Sequence, residues 1–441
     1  MNWILTELSG VELPDERFRS NLISIAERLS TGYSLSFSRA VGERLRKSAW
    51  RLFSRGDLNL LSTHQQNSLE RCWGHQIVLA VEDTTDIYYK QKCKKGLGSL
   101  GNEDTKGLNM HTSMLLSEQG ESLGIFYQDI WAPRPADKSK LRYKIPIELK
   151  ESYKWFGSLK SFNEMWSSDQ RGTVVKIADR ESDISELYHH KRGEGVELLV
   201  RVNHPKRLVF GQSDKTNLSS LVNVENFKGS GQVDVNRNGK MHARKAQVNY
   251  YSTQVTLPAV RSRKQGDVQM NVIWVKEEST VKGAIDWALL TTLQVNSFAD
   301  ILRIVGYYTK RWVIERFHYI LKSGMNIEKI QIDDSQRLKN VLQLYSLIAW
   351  HVLKVHKLGQ QGSQAPAVEY FEERSVDILQ KVTGREISTV SEFIQELAQL
   401  AGFQPTNQQR HPGEKTLWQA IVIFNNIIQG FEVAEKFYET G

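Results

Sequence analysis

Three acidic residues stand where a carboxylate could do chemistry. Asp83 follows Glu82 at the end of the apolar run in "LAVEDTT", and Asp179 ends a second such run in "TVVKIADRESD". Glu315 is the lone carboxylate in the basic, aromatic stretch "YTKRWVIERFHYILK" over 308–322. The first two read as ends of buried strands, where α/β proteins usually place their sites. In a strand Glu82 and Asp83 point to opposite faces, so one can face a site while the other faces away. On a helix, Tyr308, Arg311, Glu315 and Lys322 fall within roughly 60° of one another, opposite Val313, Ile314, Phe317, Ile320 and Leu321. Two aspartates from neighbouring strand ends, plus a glutamate from a helix packed across them, could hold two divalent cations. Hard cations a few ångströms apart would activate water and stabilise the leaving oxygen in phosphodiester cleavage. Each residue also has an ordinary reading. Aspartates cap turns and helices, and Arg311 with Glu315 can be a solvated i,i+4 pair worth about 0.3 kcal/mol.

The elements that would position these residues follow from the pattern along the chain. Residues 15 to 73 read as helical, with Phe18, Leu22, Ile25 and Leu29 at helix spacing. "QIVLAVEDTT" (76–85) changes to a buried strand, and residues 108–132 read as a hairpin around "SEQGES". A loop, "APRPADKSK", precedes a helix around "IELKESYKWF", and "TVVKIADRESD" is the next strand. Strand signals alternate with turns such as "NRNGK" and "RSRKQGD" from 194 to 295. After 300 the chain reads as helical, with a boundary at "GQQGSQAPA" and a capping box at Thr389 and Glu392. A block of strands inside a mixed pattern points to an insertion into an α/β host. "GLGSLG" (96–101) matches a dinucleotide fingerprint in letters only; no strand precedes it, no helix follows, and it reads as a flexible loop.

A chain of 441 residues is too long for one core and calls for two or three domains. No apolar run approaches a membrane span, and the start, without a basic n-region, is not a signal peptide. Cys72 and Cys93 lack zinc spacing and read as free thiols in a reducing cytoplasm. A net charge of +8 points to a polyanionic partner, nucleic acid above all. Its distribution says more: residues 39–55 hold six cations against one Glu, and others gather in "RVNHPKR" (201–207), "GKMHARK" (239–245) and "RSRK" (261–264). Several separate patches fit a long ligand.

The chain resembles bacterial cut-and-paste DDE transposases of the insertion-sequence-four group, most closely the Tn-five type. The group's Y-x2-R-x3-E-x6-K signature is met by Tyr308, Arg311, Glu315 and Lys322. "EDTT" matches the family's first catalytic aspartate at Asp83, and "DRE-D" its second at Asp179. "VRVNHPKR" resembles its basic segment, which would put Arg201, His204 and Lys206 near DNA, and "WALLT" places Trp287 where the family stacks a flipped base. "PDERFRSNLISIAERLS" and "AWRLFSR", with Arg51, resemble its amino-terminal DNA-binding elements, which keep only part of the family's basic pattern here. The resemblance implies an α/β, RNase H-like (retroviral-integrase-like) catalytic core with a β-rich insertion, flanked by helical N- and C-terminal domains. The expected bounds are 1–73 for DNA binding, 74–357 for catalysis with the insertion at 194–295, and 358–441 for dimerisation. It further implies two Mg2+ or Mn2+ ions held by Asp83, Asp179 and Glu315, a homodimer on double-stranded transposon and target DNA, a hairpin intermediate, and a cytoplasmic, nucleoid-associated bacterial protein. The amino terminus is shorter than in close relatives, so the end sequence recognised does not carry over. Two rivals are a structure-specific nuclease on the same core and a non-catalytic DNA-binding derivative; retention of all three acids argues against the second.

Overall fold

The two apolar runs that end in aspartate form adjacent parallel strands. The computed structural model describes residues 3–31, 37–56, 58–89, 95–100, 105–133, 145–211, 215–235, 244–259, 266–279, 283–406 and 410–439. They divide into two compact units, Met1–Cys72 with Thr84–Asp137 and Val313–Gly441, and Trp73–Asp83 with Lys138–Trp312. The division falls inside one strand, between Asp83 and Thr84.

Helices α1 (Trp3–Leu8), α2 (Glu16–Thr31), α3 (Phe37–Phe53) and α4 (Ser62–Glu70) open the first unit. Leu22, Ile25 and Leu29 of α2 are buried as their spacing predicts, while Phe18 is only partly covered. Helix α3 kinks at Gly42, whose φ of 77° lies where only glycine sits without strain. Strand β1 (Ile77–Tyr88) crosses the division, and β2 (Gly98–Ser99), β3 (Lys106–Ser117) and β4 (Ser122–Trp131) complete this part of the first unit. The hairpin of β3 and β4 turns at the expected "SEQGES". The last part of β1 runs antiparallel to β3: Thr84 Oγ1 meets His111 Nδ1 at 3.0 Å, Asn109 donates to Asp86 at 2.9 Å, and the Tyr89 N–H reaches the Lys106 carbonyl at 3.0 Å. The "GLGSLG" stretch, expected as a flexible loop, holds β2 paired to β3 in its described part; Gly101 lies outside the described residues. A Cβ on Gly98 would collide with the Pro133 backbone, so close packing accounts for that glycine.

In the second unit follow α5 (Lys154–Met165), α6 (Ser168–Arg171), β5 (Thr173–Ala178), α7 (Ser185–Tyr188), β6 (Val196–Arg201), β7 (Leu208–Phe210), β8 (Lys215–Asn217), β9 (Phe227–Val235), β10 (Arg244–Leu257), β11 (Val268–Glu277), β12 (Asp286–Thr291) and α8 (Phe298–Thr309). Helix α5 starts later than expected, because 147–153 forms two 3-10 turns. The first part of β1 is parallel to β5, and β5 to β6. From β6 the sheet continues antiparallel through β12, β11 and β10, with β9 and β7 on β10 and β8 on β7. The expected strand-rich block is therefore part of one large mixed sheet. The basic patch "RSRK", most of "GKMHARK" and the turn "NRNGK" lie outside the described residues, as does Cys93.

The first unit resumes within α9 (Trp312–Tyr319) and continues with α10 (Ser335–Gln360), α11 (Ala367–Tyr370), α12 (Glu373–Thr383), α13 (Val390–Gln399) and α14 (Glu414–Glu439). Thr389 and Glu392 form the expected capping box on α13. Leu379, Val390, Ile394, Leu397 and Leu417 pack into one buried cluster there. No helix among the described residues is long and apolar enough to cross a membrane.

Candidate active site

Strand register in the second unit puts the two aspartates side by side. The parallel pairing of β1 with β5 runs to Val81 and Ile177, and continuing that register by two residues sets Asp83, midway along β1, level with Asp179, the residue just after β5. Ala178 pairs with Val200, which sets Asp179 level with Arg201 on β6, and Arg201 pairs with Leu289 on β12. Trp287 lies two residues from Leu289 and so on the same face. Asp83, Asp179, Arg201 and Trp287 thus share one sheet face across four successive strands. Further back, β1 and β5 are mostly apolar on both sides.

Helix α8 and the turn that follows it bring two signature residues to this face. Its start is fixed by a Ser297–Asp300 capping box, a signal present in "SFAD" that sequence reasoning missed. Buried Tyr308 sets its ring edge-on to Trp287, with centroids 5.4 Å apart, and the Arg201 guanidinium lies 5.9 Å from the Trp287 ring centre. Trp287 itself is half-buried. Arg311 Nη1 lies 3.8 Å from Asp83 Oδ2, a charge contact too long for a hydrogen bond.

The signature does not form the single helix that its periodicity predicts. Helix α8 ends at Thr309, whose hydroxyl donates to the Gly306 carbonyl, and Lys310 and Arg311 close a tight turn onto the carbonyls of Tyr307 and Tyr308. Glu315 then sits in the first turn of α9, where a negative charge suits the helix dipole. Residues Ile320–Gly324 widen into a π-helical turn carrying Lys322. The apolar stripe is as expected, with Val313, Ile314, Phe317, Ile320 and Leu321 all buried. Glu315 and Lys322 belong to the first unit, where Lys322 lies 4.0 Å from Glu328 and 5.6 Å from the Tyr88 ring centre.

His204 and Lys206 are exposed on the loop after β6. That loop is shaped by Asp183, a buried acid with no role in the sequence reading. Its carboxylate accepts from the N–H groups of Asn203 at 2.7 Å and His204 at 3.0 Å and from the Tyr188 hydroxyl at 2.8 Å, and it pairs with Arg207. Burial, with Asp183 beside it, pushes the Tyr188 hydroxyl well up from its usual range. Asp179 also does the ordinary work expected of an aspartate, capping the next turn by accepting from the Glu181 N–H at 2.9 Å. In the first unit, Arg44, Lys47 and Arg51 line the exposed side of α3. Asn340 holds the end of that helix through the Phe53 and Arg55 carbonyls, and Arg337 covers the Trp50 ring at 3.3 Å.

On the opposite sheet face, Glu82 is fully buried against Lys176 of β5, so the alternation at "ED" falls as expected. The Lys176 ammonium also donates to Ser158 Oγ at 2.7 Å. Burial pulls the Lys176 ammonium down from its usual range, against the pull of Glu82.

Two level aspartates supply hard oxygen donors of the kind that Mg2+ and Mn2+ prefer. Among the described residues, no three or more His, Cys, Asp or Glu side chains group closely enough to hold a metal ion. The donor chemistry of Asp83 and Asp179 fits a divalent cation.

No family model matches the chain. A solved structure described as a piggyBac transposase synaptic complex with hairpin DNA is similar over 94% of this chain and 72% of that one, with a TM-score of 0.38 and 10% identity. That likeness is too slight to assign a fold or a role.

Proposed function

We propose that this chain is a metal-dependent DNA transposase that cuts transposon ends by way of a hairpin and joins them to target DNA. The observation that carries the reading is the single sheet face on which Asp83, Asp179, Arg201 and Trp287 line up, with Arg311 and Tyr308 brought over it. Asp83 and Asp179 would hold Mg2+ or Mn2+, with Glu315 as the third carboxylate on the strength of the Y-x2-R-x3-E-x6-K resemblance. A bound divalent cation supplies the Lewis acidity that activates an attacking oxygen and stabilises the leaving one.

The chain's own groups would orient the polyanion. Arg311, beside Asp83, offers a fork of donors to a phosphate near the scissile bond, and Lys322 a point charge. Tyr308 backs the Trp287 ring, and the uncovered part of that ring would stack on an extruded base, worth about 1–3 kcal/mol. Arg201, His204 and Lys206 would follow the strand beyond, and Arg51 would hold the duplex from the amino-terminal helices. A strand antiparallel to a meander in its last part and parallel to β5 in its first supports an RNase H-like core. Residues 1–73 would be the DNA-binding portion and 358–441 the dimerisation portion, joining two copies on two ends.

The test is a cleavage gel with the DNA flanking the protein's own gene, in Mg2+ or Mn2+. Hairpin and strand-transfer products are expected. Hydrolysis alone would make the protein a nuclease, and binding alone a non-catalytic DNA-binding derivative.

A further inference from the structure

The buried Glu82–Lys176 pair lies directly behind the aspartate face, and stability does not explain it. Taking two charges out of water costs several kcal/mol per ion, and apolar replacements of such pairs are often neutral or stabilising. Both side chains have no exposed surface, and among the described residues the Lys176 ammonium meets, besides Glu82, Ser158 Oγ and, at 5.5 Å, the centre of the Trp155 ring.

The neighbouring residues show what the pair can decide. Val78, Leu79, Ala80 and Val81 of β1 are buried on both faces, as are Val174, Val175, Ile177 and Ala178 of β5. Burial of such runs is nearly the same in any register, so the hydrophobic effect specifies their alignment weakly. Lys176 pairs in register with Ala80, and Glu82 lies two residues further on the same face. Because Ser158 holds the ammonium, sliding β1 by two residues either way would carry the Glu82 carboxylate about 6.6 Å from its partner. The same slide would move Asp83 out of level with Asp179, from about 4.8 Å between strands to about 8 Å on the diagonal.

We infer that Glu82 and Lys176 are positioning residues that pin the register of β1 on β5 and thereby set the spacing of Asp83 and Asp179. The pair acts through the strands, from the sheet face opposite the aspartates. Its bearing on metal binding rests on the function proposed above; its bearing on register does not.

The register can be read without metal or DNA. In full-length protein carrying Cys72→Ala and Cys93→Ser, Asp83→Cys with Asp179→Cys places two thiols within disulfide reach only when the positions are level. Copper-catalysed oxidation, followed by peptide mapping, should form the 83–179 disulfide readily. Replacing the pair with Lys176→Met and Glu82→Leu should leave the melting temperature unchanged or raised yet slow that disulfide roughly ten-fold or more, since the slipped diagonal exceeds disulfide range. Glu82→Gln, which keeps shape and removes charge, should slow it by less and serves if the apolar variant does not fold. Equal oxidation rates with and without the pair, or no disulfide with the pair intact, would overturn the inference. In protein with both aspartates intact, the apolar variant should bind Mn2+ roughly ten-fold more weakly. Slower cross-linking with unchanged Mn2+ affinity would uphold the register role and contradict the metal reading.

Discussion

Two arrangements of a carboxylate with an arginine occupy the two units, and they differ in how they are closed. In the first unit Glu7 is 2% exposed and pairs with Arg71 at 2.9 Å and His64 Nδ1 at 2.6 Å. His64 Nε2 accepts the Ile125 N–H at 2.8 Å, so the ring is the neutral tautomer with its proton on Nδ1, donated to Glu7. In the second unit Asp83 meets Arg311 at 3.8 Å, beyond hydrogen-bond range, and its side chain keeps 22% of its surface. The first arrangement ties α1, α4 and β4 together by donors at bonding distance. The second brings Arg311 to Asp83 at charge-contact distance and leaves part of both side chains exposed to solvent. Glu7 is closed on its partners, whereas Asp83 and Arg311 stay partly reachable from solvent.

The contrast makes opposite predictions for the two acids. Asp83→Ala should abolish cleavage and joining in the gel assay while leaving DNA binding and the melting temperature nearly unchanged. Glu7→Ala should cost about 3–5 kcal/mol of stability, because it strands buried partners, while Asp83 chemistry survives in whatever fraction stays folded. Glu7 also sets a pH dependence. Burial pushes its carboxyl up, but His64 and Arg71 outweigh burial and bring it from 4.5 down to about 2. A depressed folded pKa gives stability that is present above the unfolded value and lost as pH falls through the folded one. Melting curves should therefore show about 3 kcal/mol disappearing between pH 4.5 and 2, and Glu7→Gln should remove that loss.

Much of this was legible in the chain, and the parts that were not share a cause. The strand end at Asp179, the "SEQGES" hairpin, the α13 cap and the buried stripe of 308–322 are local patterns, so short windows report them, whereas the strand expected to end just past Asp83 runs on to Tyr88. The break after Thr309 was hidden because neither proline nor glycine marks it; a side-chain hydroxyl and two tight backbone bonds make it. Glu82 meets Lys176 across 94 residues, and Asp183 reaches Asn203 across 20, separations that periodicity does not sense. The alignment of Asp83, Asp179, Arg201 and Trp287 needed strand order and register, which the sequence carries only in pieces.

Smaller effects sharpen the contrast within the open site. Trp287→Ala should leave the first nick intact and slow hairpin formation roughly 10–100-fold, as loss of about 1.4–2.8 kcal/mol of stacking requires. A large fall in melting temperature, or equal losses in both steps, would return Trp287 to a packing role beside Tyr308. Arg51→Ala, on the exposed side of α3, should weaken DNA binding and reduce the salt-dependence slope by about one unit. An unchanged slope would make that helix a solvated face.

Mn2+ soaked into crystals of the full chain tests most directly whether the aspartate face holds a divalent cation. Anomalous scattering should place Mn2+ at about 2.0–2.4 Å from carboxylate oxygens of both Asp83 and Asp179, and Asp179→Asn should erase the peak. A Mn2+ peak elsewhere, or none at these two carboxylates in crystals saturated with the ion, would contradict it.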